Sequence, residues 1–570
     1  MDELSLPFDV VVVGAGVNGL GIAQDAALRG LRVALLEQDD ICSGVSAWSG
    51  RLVHGGLRYL EHYDFALVRE SLRERELLFR LAPHLVKPVR LLMPFYSHNR
   101  RSPKLIRLGM MIYDALSFDK KTGRHEILSR DGILRRFTGI GPDGLTGSAV
   151  FTDGQVEAAE RLCVELGVSA AGAGAVIRTK ARVEEPLHDA QGNVNGVRYR
   201  DLSPDGGSPD GSGELHDVRA TVVLNVAGPW IDRVFRREAP GQPRLNGGTK
   251  GSHLIVDPFP GAPTDVVYYE SQADGRLVLV IPWMGRYMLG TTDIRFEDDP
   301  DEARCDADEM AYILGEVNTL VPGANLTPDD VLYTFSGVRP LPYAPDKSES
   351  AVPRTHILHE HGAGLKGVVT VVGGKLTTYR QLAQDAVDDA FTRLGRKAPK
   401  CVTRNLPFPG ALDDPAPLRA DLMAAGVTPR TADRLLSLYG RRAVDVLAQA
   451  GGDPELLEVF DERTGAIGAE LLFAVRREFA VTLADVLARR LLLAFEPDHG
   501  LGSASRAADL LGERLGWDEA RRKEEVEGYR RWLDHLAVPT PTAGTTPTGT
   551  TVEGSNPDWV EKRAQNRAES

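Results

Sequence analysis

Residues 10–13 are an unbroken apolar run, VVVV, with polar or glycine positions on either side. Such a run reads as a parallel strand buried on both faces, not as the alternating pattern of a half-exposed one. GAGVNG follows at once, then a stretch of helical period ending at Arg29 and Gly30, then a second apolar segment, LRVALLE, that ends on Glu37. The order is strand, glycine turn, helix, strand. Further strands are expected near 176–183 and 194–200, at 221–228 (TVVLNVAG), at 252–257 (SHLIVD) and at 368–374 (VVTVVGG). SPDGGSPDGSGE, 203–214, reads as a turn-rich excursion inside a hairpin. The fold class expected to about residue 375 is α/β with an inserted antiparallel sheet.

After NLPFPGALDDPAP, 405–417, the period changes to that of helices, and a separate all-α domain is expected to about residue 537. Residues 538–570 are rich in Thr, Pro and Gly and read as a disordered tail. The division expected is therefore 1–404, 405–537 and 538–570.

Bulk properties narrow the function. A chain of 570 residues has material for roughly two to four domains. The net charge of −13 lacks the basic footprint of a general nucleic-acid binder. Cys42, Cys163, Cys305 and Cys401 are scattered without metal or disulfide spacing, so no metal site is expected and a reducing compartment fits. MDELSLPFD is acidic and leads straight into a strand, so no signal peptide is expected, and no apolar run approaches the ~20 residues of a membrane span. A cytoplasmic protein, at most resting on a membrane surface, is the expectation.

Four motifs carry chemistry. In GAGVNG, Gly14 allows the tight turn, Gly16 admits a pyrophosphate close to the backbone, Gly19 lets helix and strand pack, and Glu37 is placed to accept from ribose hydroxyls. A lone glycine motif would be weak; strand, helix and acid in register make it a dinucleotide site, without choosing between NAD and FAD. In SAWSGRLVHGGLRYLE, 46–61, Ser46, Ser49 and Arg51 are candidates for the pyrophosphate. Gly55 and Gly56 are candidates for close approach to a flat ring, and Arg58 and Tyr59 for a pocket over it. The bland alternative is a solvated surface loop. VVTVVGGKLTTYRQLA, 368–383, runs a buried strand into a double glycine and a helix start, a geometry that favours an anion, with Lys375 in reach of a phosphate. KGSH (Lys250 to His253), Arg339 in FSGVRPL and Arg354 in AVPRTHIL add cations and one histidine in glycine-rich turns. Singly these are usually structural or solvated; together they suggest a small anionic substrate, for which arginine is a suitable clamp.

The set GAGVNGLGIAQDAALRG, RLVHGGLRYLE, NVAGPWID, KGSH, LGTTD, SGVRPL and GGKLTTYRQLA, spread over about residues 5–535, resembles the FAD-dependent, quinone-linked (aerobic-type) glycerol-3-phosphate dehydrogenases. The resemblance implies an amino-acid-oxidase-like flavoprotein: a Rossmann-like FAD domain, an inserted antiparallel substrate sheet and a helical C-terminal domain. It implies that Gly14, Gly16, Gly19, Glu37, Ser49, Arg51, Gly55, Gly228 and Gly374 surround FAD. It also implies that Arg58, Tyr59, His253, Thr292, Arg339, Arg354 and Lys375 line the substrate side. The implied reaction oxidises sn-glycerol 3-phosphate to dihydroxyacetone phosphate. His253 would be the base, Arg339 would stabilise developing negative charge, and Lys375, Arg354 and Tyr59 would hold the phosphate. Membrane quinone as acceptor, peripheral contact with the inner face of the cell membrane and a homodimer are implied likewise. Residues 88–116 mix Arg and Lys with large apolar side chains, and read equally as a membrane-surface segment or as a core helix with a basic edge. Rival readings are a glycerol-3-phosphate oxidase using dioxygen, an amine or amino-acid oxidase of the same fold, and a flavin-binding sensor without catalysis. A plain NAD-dependent enzyme is disfavoured by the motifs beyond residue 40.

Overall fold

The computed structural model describes residues 4, 6–57, 60, 64–118, 122–204, 213–236, 241–347, 352 and 355–540. Its first sheet is parallel at the centre. The strand Phe8–Val13 lies between Val33–Leu36 and Leu215–Asn225; Val368–Val372 continues the sheet on one side and Val176–Arg178 on the other. Val10, Val11 and Val12 are fully buried, which is why this strand is apolar on both faces. The helices Val17–Leu28 and Tyr379–Arg393 pack together on one face. Gly21 makes that contact possible, since a Cβ there would stand 2.7 Å from the Tyr379 ring.

The single strand expected at 176–183 is two. Val176–Arg178 ends in the parallel sheet, Lys180 takes a left-handed conformation (φ 55°), and Ala181–His188 turns away to pair with Val194–Asp201. Val194–Asp201 in turn pairs with the first half of Leu215–Asn225, whose second half lies in the parallel sheet. The excursion at 203–214 falls mostly outside the described residues.

The second sheet is assembled from two separated parts of the chain, with strands Val86–Tyr96 and Leu145–Val156 from one and Thr249–Val256, Val266–Glu270, Leu277–Trp283, Arg286–Gly290 and Val331–Arg339 from the other. The segment 88–116 therefore divides. Its first part belongs to a strand buried at its second half, and its second part is the helix Pro103–Leu116, started by Ser102, whose hydroxyl accepts from the Leu105 N–H.

From Ala416 onward the chain is mostly helical, with a two-residue-deep ribbon between Val459–Asp461 and Ala466–Ile467. The helical region does not bury its apolar faces alone: Leu491, Leu492 and Phe495 share one core with Trp283, Tyr333 and Phe335 of the second sheet. Tyr333 Oη donates to the Phe495 carbonyl at 2.9 Å, and Arg161 forms a fully buried two-point pair with Glu478.

Candidate functional site

The glycine turn, Glu37, the 225–228 turn and the 373–378 turn all leave the carboxyl ends of neighbouring parallel strands, the place where open α/β sheets bind ligands. Gly14 has φ 107°, and a Cβ on it would overlap the Val226 carbonyl at 2.8 Å. A Cβ on Gly19 would stand 1.9 Å from the Gly14 carbonyl oxygen, so the helix rests directly on the turn. Glu37 closes the corner: Oε2 accepts the Ala15 N–H at 2.7 Å and Oε1 the Asp39 N–H at 2.8 Å. Burial pushes its carboxyl up to about 7, against the two backbone donors. Ser46 Oγ accepts from the Val17 N–H at 3.1 Å, and Gly16 lies against the same hydroxyl. Gly228 adopts φ 57°, and no heavy atom lies within 4 Å of where a Cβ would stand. Gly374 (φ 93°) faces Asn18, whose buried Oδ1 has no partner among the described residues. A cleft of about 90 Å³, open at its mouth, lies beside this crest, with Gln38, Ser43, Trp48, Pro229 and Trp230 in its walls.

Across from the crest, His253 and Arg339 come from paired strands: His253 stands opposite Phe335, and Thr249 opposite Arg339. The His253 ring stacks on Phe335 with centroids 5.0 Å apart, and Phe335 lies 5.6 Å from Trp48. Neither ring nitrogen of His253 has a hydrogen-bond partner among the described residues, although the side chain is buried. Burial foremost, then the charges of Arg339 and Arg51, pushes the imidazole down to about 3. It is a neutral acceptor at any physiological pH. Gly50 lies beside the ring: a Cβ there would stand 3.6 Å from His253 Nε2, an ordinary contact distance.

Arg339 is pinned. Nη1 donates to Asp293 Oδ1 at 3.0 Å, and Nη2 to Thr291 Oγ1 and the Thr292 carbonyl, both at 3.1 Å. Thr291, Thr292 and Asp293 come from LGTTD, a motif recognisable in sequence without any hint that its first threonine hydroxyl, its aspartate and the backbone carbonyl of Thr292, and not the Thr292 hydroxyl, hold the arginine. The two regions meet at His54, whose backbone N–H donates to Thr377 Oγ1 at 3.3 Å while Nδ1 accepts from the Gly56 N–H at 3.0 Å. Lys375, half-buried, donates to Ser71 Oγ at 3.3 Å, and Arg380 anchors the same turn through a two-point pair with Glu74.

A turn with backbone N–H groups, an acid at the end of the second strand, an open glycine and buried polar atoms without partners among the described residues fit a dinucleotide with a flat polar ring. The sequence profile described as FAD dependent oxidoreductase matches residues 9–380, and that described as C-terminal domain of alpha-glycerophosphate oxidase matches residues 401–522. The chain belongs to the FAD-dependent glycerol-3-phosphate dehydrogenases. A glycerol-3-phosphate dehydrogenase from Synechocystis is 40% identical over 545 residues, covering 93% of this chain and 97% of its own. The aerobic glycerol-3-phosphate dehydrogenase of Staphylococcus haemolyticus is 31% identical, covering 85% and 86%. Among solved structures, a Bacillus halodurans glycerol-3-phosphate dehydrogenase complexed with FAD superposes with a TM-score of 0.75 at 26% identity, covering 94% of this chain and 96% of that one. FAD is the cofactor, and the fold is a Rossmann-like FAD domain with an inserted antiparallel sheet and a helical C-terminal region.

Against this dehydrogenase frame, several residues serve differently from expectation. Arg51 does not face a pyrophosphate. It is fully buried, φ 53°, with both Nη atoms 2.6 Å from Glu160 and the guanidinium between the rings of Trp283 and Phe495. Its charge is consumed inside the protein. Gly55 is small for the sake of the core: a Cβ would strike Tyr113 Oη at 2.2 Å and Leu72 at 2.4 Å. Thr292 accepts from the Ser252 N–H at 2.9 Å and donates to Glu309 at 2.6 Å, so its buried hydroxyl braces the strand instead of meeting substrate. Ser49 Oγ accepts from the Arg51 N–H at 3.3 Å and caps its own turn. Arg58, Tyr59 and Arg354 lie outside the described residues.

Proposed function

We propose that the chain oxidises sn-glycerol 3-phosphate to dihydroxyacetone phosphate with FAD and passes the electrons to a membrane quinone. The observation that carries the first half is His253, a buried, neutral imidazole whose nitrogens have no partner among the described residues. Bound FAD supplies the hydride-accepting chemistry. The residues of this chain supply the rest. His253 takes the proton of the substrate C2 hydroxyl as C2–H leaves as hydride. Arg339, held rigid by Asp293, Thr291 and the Thr292 carbonyl, sets a fixed positive charge against the oxygen that becomes negative in the transition state. Lys375, with Arg354, Arg58 and Tyr59, binds the phosphate. Gly14, Gly16, Gly19, Glu37, Gly228 and Gly374 cradle the dinucleotide, with Ser46 beside the first helical turn. Relatives named glycerol-3-phosphate dehydrogenase over almost the whole chain support this reading.

The acceptor reading draws support from the surface. On the helix Pro103–Leu116, Leu105, Leu108 and Met111 are 57%, 53% and 62% exposed at helical spacing, and Phe118 just beyond is 79% exposed. Lys104 and Arg107 are exposed on the same helix. An apolar ridge edged by cations suits an anionic bilayer surface, where a quinone pool resides. Among the described residues no helix is long and apolar enough to cross a membrane, so this contact is peripheral.

The test is anaerobic addition of glycerol 3-phosphate to the yellow holoprotein. Bleaching of the flavin band by this compound, and not by glycerol or amino acids, is the expected result; an unchanged spectrum rejects the substrate. Reoxidation of the bleached protein by a short-chain quinone faster than by dioxygen, with little hydrogen peroxide, is expected for the acceptor. The reverse order makes the chain an oxidase.

A further inference from the structure

Directly after the ribose-facing Glu37, the chain carries two more carboxylates, Asp39 and Asp40, and both are held by residues about 450 positions away. Arg490 makes a two-point pair with Asp40, Nη2 to Oδ1 at 2.8 Å and Nη1 to Oδ2, with both side chains fully buried. Arg489 donates to Asp39 Oδ2 at 2.9 Å and to Asp40 Oδ2 at 3.2 Å. Arg490 is itself fixed to the helical region, donating to the Glu478 carbonyl from Nε at 2.9 Å and from Nη2 at 2.7 Å. Lys180, from the left-handed corner between strands, completes the set with a bond to Asp39 Oδ1 at 2.6 Å and one to Asp485 at 3.1 Å.

This corner is mechanically tied to the dinucleotide turn. Glu37 holds the Ala15 N–H with one oxygen and the Asp39 N–H with the other, and the Cys42 N–H donates back to the Ala15 carbonyl at 3.1 Å. The Ala181 N–H donates to the Glu37 carbonyl at 2.7 Å. Moving Asp39 or Asp40 therefore moves the turn. The corner is also tied through charge. Three carboxylates in four residues would oppose an anionic dinucleotide, and a buried carboxylate stripped of its partner is costly. Arg489 further lies over the ring of Trp532, which is 6.1 Å from Trp48 in the segment leading to Ser49.

We infer that Arg489 and Arg490, which belong to the C-terminal helical region, are positioning residues of the FAD site: they hold the Glu37–Asp40 corner in place and cancel its charge, so that docking of the helical region and retention of FAD are coupled. The inference concerns the cofactor alone and stands whatever the substrate proves to be. Asp39 and Asp40 both push the Glu37 carboxyl up as things stand, and uncovering them would push it further, weakening its grip on the ribose hydroxyls.

The experiment compares purified holoprotein with Arg490→Ala, Arg489→Gln and the paired Asp40→Asn/Arg490→Gln. FAD release on dilution is followed by the rise in flavin fluorescence, and thermal midpoints are taken with FAD saturating and with FAD removed. The coupling predicts release about tenfold faster in each single variant. It also predicts a narrower gap between the two midpoints, and recovery towards the parent's retention in the paired variant, where no charge is left unpaired. Should Arg490→Ala fail to fold, Arg489→Gln and the paired variant carry the comparison. FAD release equal to the parent's in the single variants that fold, with both midpoints lowered by the same amount, overturns the inference and leaves the two arginines as ordinary struts.

Discussion

The guanidinium of Arg339 lies across Gly251, so near that a Cβ on that glycine would stand 2.2 Å from Nη2. The two residues face each other through paired strands, with Gly251 opposite Gly337 and Thr249 opposite Arg339. Because the overlapping atom is the far end of a long side chain, Gly251→Ala should move the charge while leaving the fold intact. The expected result is a turnover rate lowered by about 10- to 1,000-fold, in the range of losing one fixed transition-state donor, with a thermal midpoint close to the parent's. Asp293→Asn should act in the same direction through the other side of the guanidinium. Steady-state kinetics alongside a melting curve decide it; full activity in Gly251→Ala would show that the position of Arg339 is immaterial to turnover.

His253 gives the pH dependence a definite sign. Its folded pKa is pushed down to about 3 from the ordinary 6.5. Protonation therefore favours the unfolded chain, so His253 costs the fold stability as pH falls from about 6.5 towards 3 and contributes no slope above that window. For catalysis the same shift keeps the imidazole unprotonated, with no acid limb in kcat/KM between pH 5 and 8, while making it a weaker proton acceptor than a histidine of ordinary pKa. His253→Asn should reduce kcat by about 10²- to 10⁴-fold while flattening the acid part of the urea-unfolding profile. An acid limb near pH 6.5 that vanishes in the variant would mean the imidazole titrates at its ordinary value.

Glu37 behaves oppositely. A carboxyl raised to about 7 holds its proton more tightly in the folded chain than in the unfolded one. In FAD-free protein its contribution to stability is thus full below about 4.5 and is lost as pH rises to about 7. In the proposed contact, ribose hydroxyls donate to the carboxylate form, so FAD binding would displace that proton below about pH 7. Affinity for FAD should rise with pH from about 5 to 7 and then level off, and Glu37→Gln should both weaken binding and remove the slope. Fluorescence titrations at a series of pH values measure this directly; a parent slope of zero contradicts it.

What could be read in the sequence was whatever depends on neighbours along the chain. The spacing of Gly14, Gly16 and Gly19, the apolar run at Val10 to Val13 and the acid at Glu37 each report a local geometric demand, and the strands and turn they imply are where they should be. What could not be read is which way a polar residue faces. Arg51 sits among serines and glycines in a segment that reads as a cofactor border, yet its partner Glu160 is 109 residues away, and only the folded chain shows the charge to be spent. Gly55 looks like a glycine under a flavin; its small size is demanded by Tyr113 and Leu72 on the other side. The strand Val86–Tyr96 was hidden because its exposed first half carries Lys87 and Arg90, which break the apolar pattern. The arginines at 489 and 490 sit in a mostly apolar helical stretch inside what reads as a separate domain, 405–537, whereas they close on Asp39 and Asp40.

The ridge on Pro103–Leu116 sets a last expectation. Inserting Leu105, Leu108, Met111 and Phe118 into the boundary of a bilayer removes apolar surface from water, at about 1.5–3 kcal/mol for each fully buried side chain. Lys104 and Arg107 add about 1 kcal/mol each next to an anionic leaflet, a term that salt screens. Leu108→Glu combined with Met111→Glu should therefore weaken co-sedimentation with anionic vesicles by at least tenfold. Lys104→Glu with Arg107→Glu should weaken it most at low salt. Neither pair touches the site, so anaerobic bleaching by glycerol 3-phosphate should be unchanged while quinone reductase activity in vesicles falls. Vesicle binding that survives both pairs would move the membrane contact to another face of the molecule.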